Sequence, residues 1–225
     1  MTAKHVVLVG LLVVLLGASL PAAGESKDVQ LPKPQMEGGK PLMEVLKARS
    51  TTREFSTQKL APQVLSNMLW AAFGINRPES GKRTAPSAVN WQEIDVYVAL
   101  EEGLYLYDAQ GNALKLVLAE DIRAATGLQP FVGGAPLNLV YVADYSRMGK
   151  GSVGDKDFYS ATDTGFISQN VYLFCASEGL ATVVRGWVDR DALAKKMGLR
   201  EDQKIILAQT VGYPGQATKE EAEKE

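Results

Sequence analysis

The apolar residues of this chain fall into runs whose spacing changes along its length. From Leu60, the positions Val64, Leu65, Met68, Leu69, Ala72 and Phe73 recur at helical spacing, with Pro62 tolerable in the first turn and Gly74 as the stop. This predicts a helix with one buried face. From Ile94 the period drops to two. "IDVYVAL", "LYLYD" and "ALKLV" are separated by "EEG" and "AQGN", which predicts an antiparallel meander. "AEDIRAATGL" reads as a short helix, and "LNLVYVADY" is continuous enough for a central strand. A long core helix is expected over "FYSATDTGFISQNVYLFCASEG", with Ile167, Val171, Phe174 and Cys175 on one side and Gly179 at its end. "ATVVRGW" predicts a short strand or extended loop. "DRDALAKKMGL" is a helix opened by Asp189 or Asp191 and closed at Gly198, and "KIILAQTVGYP" is a strand ended by Pro214. Helices and strands mix without regular alternation, which favours an α+β fold over a doubly wound sheet.

The ends differ from this body. Lys4 and His5 precede the apolar run Val6 to Leu16, and "GASLPAAG" follows with small residues, so residues 1–24 read as a signal peptide for export. An uncleaved membrane anchor is the alternative, although the run is short beside the roughly 20 residues of a membrane span. No cysteine follows the run to carry a lipid, and no arginine pair precedes it. Residues 25–40 hold two prolines and two glycines and read as a linker or an arm over the surface; residues 215–225 are a charged tail. The folded body is residues 41–214.

Composition narrows the chemistry. The 225 residues are 46% hydrophobic and 22% charged, enough apolar material for one compact domain. The net charge is -2 and no basic stripe is present, so nucleic acid is not expected as a partner. Cys175 is the only cysteine, which leaves no internal disulfide and no cysteine metal cluster. Within its apolar segment it reads as a buried small hydrophobe. His5, the only histidine, lies in the signal segment, so a Ser/His/Asp triad or a histidine metal site is excluded from the mature chain.

Four stretches could carry chemistry. "GKGSVG", Gly149 to Gly154, has dinucleotide-loop spacing, but it lies late in the chain and "DKDFYSATD" follows where an apolar helix should begin; a surface loop is expected. Asp144, Asp155, Asp157 and Asp163 lack the spacing of a calcium loop, and no pair of carboxylates stands out for acid/base work. "RSTTREF", Arg49 to Phe55, can converge two guanidiniums and several hydroxyls on one anion, or be a solvated helix entry. "TAPSAVNWQE", Thr84 to Glu93, sets Pro86, Ser87, Asn90 and Gln92 at a strand mouth, where small polar groups can bond a polar ring edge.

Taken in order with "LSNMLWAAFGI", "DTGFISQNVYLFCASEGL" and "TVVRGW", these stretches resemble the nitroreductase family of FMN-dependent oxidoreductases, particularly its shorter members similar to the SagB-type dehydrogenases. The resemblance covers Pro41 to Pro214 and implies a mostly antiparallel central sheet flanked by helices. In the family an R-x-S-x-R pattern holds the FMN phosphate and ribityl chain and approaches the N1/O2 edge; Arg49, Thr51 and Arg53 match it, with Ser50 between. Arg53 would then give electrostatic support to the reduced flavin. The family's P-S-x-x-N-x-Q segment reaches the flavin from the partner subunit; Pro86, Ser87, Asn90 and Gln92 match it, while Glu93 stands where proline is common. The loop that lays a backbone N–H against flavin N5 corresponds to Val184, Arg185 and Gly186.

The implied protein is an exported homodimer that transfers hydride through flavin N5 to a small organic acceptor, nitro, quinone or similar, from NAD(P)H or another donor. A flavin- or ligand-binding protein of the same fold without turnover is the alternative. One departure bears on phosphate binding: family members often end in a basic K-x-R element, and after "VGYP" this chain offers no such pattern, only Lys219 and Lys224 among acidic residues.

Overall fold

The computed structural model describes residues 27–215; the signal segment 1–24 and all of the tail beyond Gly215 lie outside the described residues. The expected arm is pinned to a sheet edge. Its short strand β1, Val29–Gln30, pairs with the end of the meander, and Leu31 behind it is buried. Helix α1, Leu42–Ala48, and helix α2, Pro62–Phe73, follow. A hairpin of β2, Ile75–Arg77, and β3, Lys82–Arg83, precedes the meander of β4, Ile94–Leu100, β5, Gly103–Asp108, and β6, Ala113–Leu118. Then come β7, Leu137–Asp144, helix α3, Val153–Glu178, β8, Ala181–Arg185, helix α4, Arg190–Met197, and β9, Gln203–Gly212.

The main sheet runs β1-β6-β5-β4-β7-β9-β8, with every neighbouring pair antiparallel. Among the described residues there is no parallel βαβ unit for a dinucleotide loop to serve. β7 is central and buried along its whole length, because the two-residue period sends alternate side chains into two cores. Leu139, Tyr141 and Ala143 pack with Met68 and Leu69 of α2 and with Ile167 and Val171 of α3; Val140 and Val142 pack with Leu193 and Met197 of α4. The fold is α+β, as expected. Cys175 lies in the first core, where burial pushes its thiol far up, so it acts as a small hydrophobe.

Three expectations shift. α3 begins at Val153, not near Phe158, because Ser152 and Asp155 form a reciprocal capping box: Ser152 Oγ accepts the Asp155 N–H at 3.1 Å, and Asp155 Oδ2 accepts the Ser152 N–H at 3.2 Å. The last two residues of "GKGSVG" are therefore helical, not loop. The segment around Ile122 makes only a 3-10 turn at Arg123–Thr126. Hydrophobic patterning gives no sign of α1, in which only Val45 is buried. Among the described residues no helix is long and apolar enough to cross a membrane.

Candidate functional site

Arg49 caps the end of α1, and the chain leaves it with ψ 119°. The segment then borrows the sheet's edge: Thr52 N–H donates to Thr182 O at 3.0 Å, Ser56 N–H to Tyr213 O at 2.9 Å, and Gly215 N–H to Glu54 O at 3.1 Å, with Phe55 bridged to Pro214. Along such an extended chain alternate residues share a side, the arrangement that would group Arg49, Thr51 and Arg53. Ser50 and Thr52 instead line a separate cleft of about 230 Å³ with Tyr172, Ala176 and Thr182. Neither Arg49 nor Arg53 makes an ion pair among the described residues.

Tyr172 of α3 ties this segment to β8. Its hydroxyl accepts the Val184 N–H at 3.0 Å and shares a second hydrogen bond with the Thr51 hydroxyl, also at 3.0 Å. The Arg49 guanidinium sits 5.4 Å from the centroid of the same ring. Arg49, Thr51 and Val184 are thus brought together by a residue that carries no sequence signal of its own.

Val184 and Arg185 part company, as neighbours on a strand do. The Arg185 side chain turns into the protein, where Nε donates to Thr210 Oγ1 at 3.0 Å, Nη1 to Thr126 O at 2.9 Å and Nη2 to Asn138 Oδ1 at 3.1 Å. Among the described residues no carboxylate pairs with it, and burial lowers its pKa to about 10. At this position only the backbone of Arg185 is available to a ligand. Gly186 is exposed at the end of β8, and Trp187 beyond it leaves 64% of its surface in solvent.

Pro86 to Gln92 sits elsewhere in the same chain. Ser87 opens a single 3-10 turn, Ala88–Asn90, in which Val89 and Asn90 take φ 53° and 58°, with Gln92 at 49° just beyond. Three non-glycine residues in the left-handed region cost about 1–3 kcal/mol each and persist only where hydrogen bonds over-determine the loop. Here they do. Ser87 Oγ accepts the Gln92 N–H at 2.8 Å and donates to Glu93 Oε2 at 3.2 Å; Ala88 N–H donates to Asp163 Oδ2 at 2.8 Å; Arg83 Nε donates to Gln92 Oε1 at 2.8 Å.

Glu93 and Asp163 correct the expectation that no carboxylate pair stands out. Both are buried beneath this loop, and Glu93 Oε1 has no hydrogen-bond partner. Burial, and then the charge of Asp163, push Glu93 up to about 7. The other acidic residues of the expected cluster are engaged singly: Asp144 with Ser146 and Arg200, Asp155 in the helix cap, Asp157 with the Tyr145 hydroxyl. Among the described residues no group of acids, histidines or cysteines could hold a metal ion.

The two halves of the site do not meet within one chain. Asp163 anchors one and Tyr172 the other, and nine residues along α3 amount to about 13 Å. What one chain assembles is a pair of unopposed guanidiniums beside fixed hydroxyl and N–H groups, suited to an anion and without a nucleophile.

The Nitroreductase family model matches residues 46–213. A Methanocaldococcus jannaschii protein named as a putative nitroreductase is 34% identical over 195 residues, covering 82% of this chain and 96% of that one. A likewise named crystal structure from Ralstonia eutropha JMP134 superposes with a TM-score of 0.81 at 46% identity, over 88% of this chain and 93% of that one. The NADPH:FMN oxidoreductase of Vibrio harveyi, solved with NAD+, shares the fold with a TM-score of 0.59 at 19% identity, over 78% of this chain and 69% of that one. This chain belongs to the nitroreductase family.

Proposed function

We propose that this protein is an exported FMN-dependent oxidoreductase that works as a homodimer and reduces a small organic acceptor, nitro, quinone or similar, with NAD(P)H or another donor. The observation that carries the reading is the gathering of Arg49, Thr51 and Val184 around Tyr172, with Arg53 two residues on and neither arginine in an ion pair among the described residues. That donor set fits a phosphate-bearing flavin. Bound FMN would supply the redox chemistry, taking a pair of electrons from the donor and passing it on through N5.

The chain's own groups bind and orient. Arg49 and Arg53 would offset the phosphate and the charge that develops on reduction, with Arg53 at the flavin edge. The Tyr172 hydroxyl fixes Thr51 and the Val184 N–H in one frame. Arg185, buried behind β8 without an acid, adds positive potential from the other side. Cys175 is buried, and burial pushes its thiol far up, so it takes no part as a thiolate.

Dimerisation would let Pro86, Ser87, Asn90 and Gln92 of one subunit reach the other subunit's Arg49 segment. In support, Val89 on that loop is 80% exposed, and Trp91 meets Tyr159 edge to face, as Tyr159 in turn meets Phe158, which is 65% exposed. Such apolar area on the loop and on α3 suits a subunit contact. Export rests on residues 1–24 alone.

Purified protein titrated with FMN and then offered NADH, NADPH or dithionite with a nitroaromatic tests the reading. A yellow protein that turns over supports it. Flavin that binds but is never reoxidised by an acceptor favours the binding protein, and protein that stays colourless with added FMN overturns both.

A further inference from the structure

We infer that the cleft between the β2–β3 hairpin and the Pro86–Gln92 loop is a second anion site, one that takes a phosphate monoester. The cleft measures about 210 Å³ and is lined by Arg77, Lys82, Arg83, Ser87, Asn90 and Gln92. That is several times the roughly 30 Å³ that one water occupies, room for a phosphate group and the stub of its ester.

Three cations line it and no acid answers them. None of Arg77, Lys82 and Arg83 forms an ion pair among the described residues, and neither does Glu79 at the hairpin turn. The acids nearest Arg83 are engaged elsewhere: Asp95 takes both oxygens to Arg147 at 2.7 and 2.6 Å, and Asp108 caps its own turn through the N–H groups of Gln110 and Gly111. Cations without ion-pair partners on one short hairpin repel one another, so the arrangement is relieved by an anion.

The cations are also aimed. Arg83 is held by Gln92 Oε1 at 2.8 Å and by Phe73 O at 3.0 Å, with its guanidinium 4.9 Å over the Phe73 ring. That uses Nε and Nη1 and leaves Nη2. Arg77 donates from Nε to Asn76 Oδ1 and from Nη2 to Arg83 O, leaving Nη1; Lys82 leaves its whole ammonium. Burial lowers the pKa of Arg83, in keeping with a guanidinium desolvated in advance of its ligand. Three separate cationic donors match the three oxygens of a phosphate monoester better than the two of a carboxylate.

The ligand's identity rests on the proposed function. The phosphate is either that of a flavin held by a second copy or that of a separate phosphorylated substrate. Calorimetric titration of the full-length protein with phenyl phosphate, at low ionic strength, compares wild type with Lys82→Glu and Arg77→Gln; Arg49→Ala reports the first anion site separately. Both hairpin side chains are exposed, so melting temperatures should stay unchanged. Lys82→Glu should weaken phenyl phosphate binding on the order of tenfold or more. FMN and riboflavin titrations then separate the sources. Loss for FMN but not riboflavin assigns the phosphate to the flavin; unchanged FMN affinity with reduced phenyl phosphate binding to the FMN-loaded protein assigns it to another ligand. Lys82-dependent phosphate binding in a protein that takes up no flavin would sink the FMN reading and leave this site standing. Equal phenyl phosphate affinity in wild type and both hairpin variants, or none in the wild type, overturns the site.

Discussion

Thr51 and Tyr172 face each other at hydrogen-bond distance, 3.0 Å between hydroxyl oxygens, across the gap between the Arg49–Phe55 segment and α3. The same Tyr172 oxygen accepts the Val184 N–H, so a single side chain sets the spacing between the two stretches proposed to hold the flavin. Tyr172→Phe keeps the ring beneath Arg49 and removes only the oxygen. We expect it to lower stability by about 1–2 kcal/mol, because Val184 N–H is left unpaired in a half-buried place, and to weaken FMN binding by a similar amount. Urea unfolding and a flavin titration measure the two effects; an unaltered pair of curves would show that Tyr172 holds nothing.

The Glu93–Asp163 pair makes stability depend on pH with a definite sign. Glu93 is raised from its ordinary 4.5 to about 7. Below pH 4.5 it is protonated folded or unfolded. Between 4.5 and 7 only the folded chain keeps the proton, so stability falls as pH rises and levels off above 7. At 1.36 kcal/mol per pH unit the span is about 3 kcal/mol. Glu93→Gln, which cannot ionise, should lack this slope and gain on wild type as pH rises from 5 to 8. Denaturant midpoints across that range decide it, and parallel profiles for the two proteins would contradict the pair.

Gly127 lies against the buried guanidinium of Arg185. A Cβ added there would stand 1.8 Å from Nη1, an atom already fixed by Thr126 O. Gly127→Ala should therefore cost about 1–3 kcal/mol, the usual penalty of overpacking. Thermal unfolding provides the check, with a melting temperature within error of wild type as the contrary result.

Much of the fold is legible because it follows from periodicity. The i, i+3, i+4 spacing of Leu65, Met68, Leu69 and Ala72 maps onto the buried face of α2, and Asp189 and Gly198 close α4 as their chemistry suggests, Asp189 Oδ1 accepting the Ala192 N–H at 3.1 Å. The failures share a cause. α1 buries one residue, so it writes no stripe into the sequence. Arg185 reads as part of a short strand or extended loop at the flavin edge, yet its strand position turns its side chain inward to Asn138 and Thr210, partners 47 and 25 residues away. Tyr172, Glu93 and Asp163 matter through neighbours made only by folding. Local pattern reports burial; it does not report which polar groups meet.

The central claim is that Arg49 and Arg53 hold a flavin phosphate. Titrating FMN into wild type, Arg49→Ala and Arg53→Ala tests it most directly. The account predicts that each substitution weakens FMN binding by about 1.5–3 kcal/mol, the size of a charge-assisted hydrogen bond, while riboflavin binding changes much less for Arg49→Ala. Superimposable FMN curves for all three proteins would contradict it.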